Sequence, residues 1–112
     1  MTINKKKIRI FADFAGGYIW SDEDFEIPNI FPKLKNDFIS WQAAFENNIK
    51  PLGCDDTEES ISNFDWDSFN SRGIELARRL KNEIGSDYIV VYERAFEEDP
   101  DKLKGNPVLA VF

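Results

Sequence analysis

Carboxylates are the one chemical group that this chain concentrates. Asp22, Glu23, Asp24 and Glu26 form one cluster, Asp55, Asp56, Glu58 and Glu59 a second, and Glu97, Glu98, Asp99 and Asp101 a third. Grouped carboxylates can hold a hard cation, share acid and base roles as in glycoside hydrolysis, or present negative potential to a basic partner. The first two uses need more than the pattern supplies. No histidine is present among the 112 residues, which removes the commonest general base and the commonest metal ligand together. Cys54 is the only cysteine, and the neighbouring Asp55 and Asp56 disfavour a thiolate, so it reads as an inert thiol that can form no internal disulfide. Asp65-Trp66-Asp67-Ser68-Phe69-Asn70 partly follows a calcium loop, but Phe69 falls on a ligand position and Asn70 where glycine is needed. Helix capping accounts for the same aspartates. The expectation is a protein with no enzymatic activity, metal or cofactor.

That leaves binding. The net charge is −7, and its placement says more than its size. Residues 1–12 carry four bases and no acid, whereas residues 13–67 carry thirteen acids against three bases. A concentrated basic surface, which phosphate binding requires, is missing, so nucleic acid is not expected as a direct ligand. The acidic clusters read either as solvated connections that keep the protein soluble or as loops that together attract a basic protein. No apolar run approaches the roughly 20 residues of a membrane span, and no signal-peptide core follows the basic N-terminus. A soluble cytoplasmic protein is expected, folded as a single domain over 1–112 with ten Phe residues to fill its core.

The elements that would position these groups are legible from periodicity. Lys7 to Phe14 alternates Ile8, Ile10, Ala12 and Phe14 against Arg9, Phe11 and Asp13, the pattern of a half-buried strand. Gly16 and Gly17 suit a tight hairpin that returns through Tyr18-Ile19-Trp20, setting Phe14 opposite Ile19 and Asp13 opposite Trp20. After a proline-punctuated acidic loop, Leu34, Phe38, Trp41, Phe45 and Ile49 make one apolar stripe, so a helix is expected over 33–48. Residues from Pro51 to Ser62 read as a loop, with Phe64 and Trp66 folding back as its anchor.

The run from Asp65 to Phe96 is the most explicit. Asp65 caps a helix, and Phe69, Gly73, Leu76, Ala77, Leu80 and Ile84 form its buried stripe. Gly85 supplies the stop, and a strand is expected over 88–96. Gly73 lies on the buried stripe at a propensity cost of roughly 1 kcal/mol, which points to a close approach by the first helix or the sheet. Arg72, Glu75 and Arg79 read as solvated surface with Glu75 and Arg79 in the favourable i, i+4 order. Pro107 opens a closing strand over 108–112. The order β-β-α-α-β-β gives an α+β fold in two layers, a single mainly antiparallel sheet with two helices on one face. Phe11 and Trp20 would stand beside Asp13 on the other face, either as a small second core or as a protein-binding surface.

Trp66, Phe69, Asn70, Gly73, Leu76, Ala77, Leu80, Glu83, Ile84, Gly85, Tyr88, Val90 and Tyr92 carry a pattern W-x-x-F-N-x-x-G-x-x-L-A-x-x-L-x-x-E-[LI]-G-x-x-Y-x-V-x-Y. With the preceding strand, hairpin and Trp41/Phe45 helix, it resembles a family of small acidic bacterial proteins, the immunity partners of polymorphic toxins, including those of contact-dependent growth inhibition. The resemblance implies a non-enzymatic immunity protein that binds a cognate toxin domain and blocks its active site or substrate groove. A basic nuclease toxin fits the acidity of the chain. Trp20, Asp22, Glu23, Asp24, Asp55, Asp56, Glu58 and Glu59 are the expected partner-binding residues. An acidic adaptor unrelated to toxins is the alternative, and an enzyme acting through carboxylates a third reading.

Overall fold

The computed structural model describes residues 6–13, 17–21, 27–49, 57–95 and 107–112, with the side chains of residues 57, 58 and 62 excepted. Its elements are β1 (Lys6–Ile10), β2 (Ile19–Trp20), α1 (Pro32–Asn48), α2 (Thr57–Asn63), α3 (Trp66–Ile84), β3 (Tyr88–Glu93) and β4 (Val108–Val111). The α1 helix opens with Pro32 at its first turn, where the fixed φ suits a helix and the missing N–H costs nothing. The α3 helix opens with Asp65, whose carboxylate accepts from the Ser68 N–H at 3.1 Å and from the Ser68 hydroxyl at 2.8 Å. It stops at Gly85, whose φ of +85° is open to glycine at no steric cost.

Four strands form one sheet in the order β2-β1-β3-β4. β1 pairs antiparallel with β2, and β3 antiparallel with β4, while the central pair is parallel from Lys6 opposite Tyr88 to Ile10 opposite Tyr92. Two of the three pairings are antiparallel as expected, and the parallel central pair makes the sheet a mixed one. The reason is directional. The Phe31 N–H at the start of α1 donates to Glu83 near the end of α3, whereas Gln42, later in α1, reaches the Asp13 carbonyl beyond β1. Hence α1 runs with β1 and α3 against it, and the three-residue turn after Ile84 sends β3 back in the direction of β1. A third helix, α2, occupies part of the stretch expected to be a loop.

On the sheet face toward the helices, Ile8, Ile10, Val90 and Tyr92 are fully buried against Leu34, Phe38 and Phe45 of α1 and Leu76, Ala77 and Leu80 of α3. Full burial of each large side chain contributes about 1.5–3 kcal/mol. The Trp41 ring stacks on Phe69 with centroids 4.6 Å apart, and its indole N–H donates to the Phe69 carbonyl at 3.0 Å. Phe64 and Trp66 fold back as expected: Trp66 donates to the Ile61 carbonyl at 2.9 Å and meets Phe64 edge to face at 4.7 Å. Gly73 does face the sheet. A Cβ there would lie 2.3 Å from the Tyr92 ring, whose hydroxyl donates to the side-chain amide oxygen Oδ1 of buried Asn70 at 2.7 Å.

Other differences are local. β1 ends at Ile10 and β3 at Glu93, short of the expected 14 and 96. The hairpin sets Arg9 opposite Trp20 and Ile10 opposite Ile19, four residues from the expected register. An even offset preserves the faces, so Trp20 stays on the side of Arg9 and Phe11. Phe14 lies outside the described residues. Glu75 pairs with Arg72 at 2.9 Å rather than with Arg79, which crosses to Asp37 of α1 at 2.8 Å.

Candidate functional site

The sheet face away from the helices carries the first group of candidate residues. Trp20, Arg9, Val91 and Val111 lie in one row across all four strands by register. Trp20 stacks on Phe11 with centroids 5.0 Å apart and donates its indole N–H to the Phe11 carbonyl at 3.2 Å. The Arg9 guanidinium lies 5.1 Å from the Phe11 ring centroid and grips Glu93 in a fork, Nε to Oε2 at 2.5 Å and Nη2 to Oε1 at 2.9 Å. Phe11 and Val91 are 7% and 4% exposed yet stand apart from the main core cluster, so this face holds a second small core. Trp20 is half-buried within it, and its ring is committed to Phe11.

The acidic candidates divide. Asp22, Glu23, Asp24, Asp55 and Asp56 lie outside the described residues, as do Glu26 and the acids from Glu97 to Asp101. Glu58 and Glu59 fall on α2, where Glu59 is exposed. Ten bases and eleven acids belong to the described residues, a balance of −1, so −6 of the net −7 sits in the connecting segments between them and at the N-terminus. The packed scaffold is close to neutral; its connections carry the acidity.

Two pKa shifts accompany this geometry. Hydrogen bonds from the Ser68 N–H and hydroxyl hold the Asp65 carboxyl below the ordinary carboxylate value. Burial pushes the Tyr18 phenol up, where its ring stacks on Phe38 at 5.0 Å. Among the described residues no three His, Cys, Asp or Glu side chains converge to hold a metal ion, and no helix is long and apolar enough to cross a membrane. A shallow depression lies between the end of α1, α2 and the start of α3, lined by Asn48, Ser60, Asn63, Phe64 and Asp65.

Two features escaped the reading of the sequence. The Arg9–Glu93 pair joins strands 84 residues apart in the chain, beyond the reach of local spacing. Gln42 is 4% exposed, with an amide nitrogen that donates to the Asp13 carbonyl and, at 3.4 Å, to Glu46. Its position four residues after Phe38 on the apolar stripe was the signal that a polar group is buried there.

A family model described as Serratia CdiI immunity protein-like matches residues 6–95. The chain belongs to that family. The match runs from the first residue of β1 to just beyond β3, so it takes in both central strands and all three helices. It also contains the whole Trp66–Tyr92 pattern on which the resemblance to immunity proteins rests. No curated protein and no solved structure matches the chain. Membership assigns it to a family of immunity-like proteins and, with that, points to a toxin protein as partner and to a role other than catalysis.

Proposed function

We propose that this protein is a non-enzymatic cytoplasmic immunity protein, folded as one domain, that binds a cognate toxin domain and neutralises it by covering its active site or substrate groove. The family match over residues 6–95 carries this reading. The toxin that fits best is a basic nuclease. Such a domain presents positive potential to phosphate, and a chain of net charge −7 is attracted to the same surface. Complementary potential raises the association rate and orients the encounter, while a few buried contacts set the residence time. The acidic segments around Asp22, Glu23 and Asp24 and around Asp55, Asp56, Glu58 and Glu59, with Trp20 at the sheet edge, are the partner-binding residues on this reading.

Co-expression with the toxin domain encoded by the gene immediately upstream provides the test. The expected result is restored growth of toxin-producing cells and co-purification of the two proteins in equal amounts. A chain that neither protects the cells nor binds the domain removes the proposal. Protection without binding would redirect it to an indirect mechanism.

A further inference from the structure

The two ends of the sheet differ in charge. At the end where β1 and β3 begin, Lys6, Lys7, Lys33, Lys35 and Lys81 stand against Glu83 and Asp87. The contacts Lys6 N–H to Asp87 carbonyl, Lys81 to Tyr88 carbonyl and Phe31 N–H to Glu83 bring these residues together there. At the end where β1 and β3 finish, Asp13, Glu46, Glu59, Asp65 and Asp67 stand against Arg94. Trp41 to Phe69, Trp66 to Ile61 and Gln42 to Asp13 tie those elements to one another.

The connecting segments sort in the same way. Segment 50–56 joins Ile49 to α2 at the acidic end, and segment 96–106 joins Ala95 to Pro107 at the same end, where the Arg94 N–H donates to the Pro107 carbonyl at 2.9 Å. Segment 22–26 instead rejoins at Ile27, which lines a depression with Lys6 and Tyr88 at the basic end. Of the three acidic clusters in the sequence, those at 55–59 and 97–101 are attached at the acidic end, whereas that at 22–26 falls between Ser21, next to the Trp20 paired with Arg9, and Ile27 at the basic end.

An independent observation selects between them. The Gln42 carbonyl oxygen is buried with no hydrogen-bond donor. Its amide nitrogen is committed to the Asp13 carbonyl and to Glu46, so a flip would set oxygen against oxygen, and the acceptor stays where it is. The head group thus lies between the Asp13 main-chain carbonyl and the Glu46 carboxylate. Glu46, exposed and held only by a 3.4 Å contact, is the side chain that can swing aside. A buried acceptor beside the Glu46 carboxylate suits an ammonium or guanidinium, which donates several hydrogen bonds and accepts none.

We propose that the toxin docks on the end where β1 and β3 finish, and that one of its Lys or Arg side chains enters beside Glu46 to donate to the unpartnered Gln42 carbonyl. This rests on the immunity reading above and narrows it to one end of the molecule. The α1–α2–α3 depression with Phe64 in its wall lies on the same surface and gives an apolar contact beside the charged one.

The test uses the full chain and the toxin domain encoded immediately upstream, with affinity and association rate measured at two salt concentrations. The variant Glu46→Lys/Glu59→Lys/Asp67→Lys leaves the Asp65 cap intact, and should weaken binding at least tenfold and flatten the salt dependence. Asp22→Lys/Glu23→Lys/Asp24→Lys, which removes only long-range attraction, should weaken binding by a clearly smaller factor than the first variant. Gln42→Met, which removes the acceptor, should weaken binding about threefold with the helical signal unchanged. Should the first variant not fold, Glu46→Gln on its exposed position carries the test, with an expected loss of about threefold. Retention of wild-type affinity by the Glu46 variants, or an equal loss in the 22–24 variant, overturns the choice of end. If the wild-type chain does not bind, the immunity reading fails, and this inference with it.

Discussion

The two faces of the sheet are built from the same strands by different means. Toward the helices, Ile8, Ile10, Val90 and Tyr92 are held by area: each is fully enclosed by side chains from α1 and α3, and what matters is volume. On the opposite face, Arg9, Phe11, Trp20 and Glu93 are held by geometry, with a stacked ring pair, a guanidinium over one ring and a two-pronged ion pair. The first arrangement tolerates no change of size. The second tolerates changes of shape but depends on partners being present in pairs. A strand with a helix layer on only one side can thus bury its other side by letting a charged side chain cover apolar neighbours.

Deleting one large ring from each face tests this contrast most severely. Phe38→Ala, on the enclosed face, should cost about 3–5 kcal/mol by chemical denaturation, because the surrounding helices cannot close the cavity. Phe11→Ala should cost visibly less, and an equal loss would break the comparison. Gly73→Leu places atoms where the Tyr92 ring already lies and should cost about 1–3 kcal/mol; a denaturation midpoint at or above wild type would show that the sheet moves aside.

The ion pair sharpens the other half of the contrast. Arg9→Met strands the Glu93 carboxylate, whose side chain is 7% exposed, whereas Glu93→Gln leaves Arg9 at 27% exposure with a neutral partner. The first change should cost about 2 kcal/mol and the second about 1 kcal/mol. The reverse order would mean that the guanidinium, not the carboxylate, is the buried member.

The smallest effect lies on neither face. Asp65 has its carboxyl lowered from 3.8 by the Ser68 hydrogen bonds, so the cap stabilises the fold above that pH and is lost as the pH falls through the depressed value. The stability gap between wild type and Asp65→Ala should be open at neutral pH and close below about pH 3.8. A gap independent of pH would assign the cap to geometry rather than charge.

Local pattern made the helices legible. The apolar stripe from Leu34 to Phe45, the Asp65 cap and the Gly85 stop correspond to α1 and α3 within a residue, because one element's periodicity is written in its own sequence. Even the close approach at Gly73 could be read from its place on the buried stripe. Strand direction was harder, since it depends on relations between elements. Each connection reverses the chain, from β1 to β2, to α1, to α3 and to β3, and counting those reversals returns β3 to the direction of β1. The observed hairpin register lies four residues from the one that a two-glycine loop implies, because pairing energy on the outer face favours setting Trp20 beside Phe11.

Of the candidate site, the described residues hold Trp20, Glu58 and Glu59, and Trp20 proves to be part of a packed cluster. Asp22, Glu23, Asp24, Asp55 and Asp56 remain assigned by charge alone. The burial of Gln42 shows in its place on the apolar stripe, but its partner, the Asp13 carbonyl 29 residues away, is a relation that spacing along one helix cannot disclose.

The parallel central pair also shapes how the chain can be made. β1 leaves the ribosome well before its principal partner, since Arg9 and Glu93 are separated by 84 residues. Pairing across so long a loop is slow, because the chain must be brought together before any contact rewards it. Until β3 emerges, the apolar residues of β1 have only the short β2 beside them, so a nascent chain carries an open strand edge for as long as the intervening residues are being made. A fold of this kind therefore completes only after Tyr88 to Glu93 has been made, and a message truncated before Tyr88 yields a chain that lacks the centre of its own sheet.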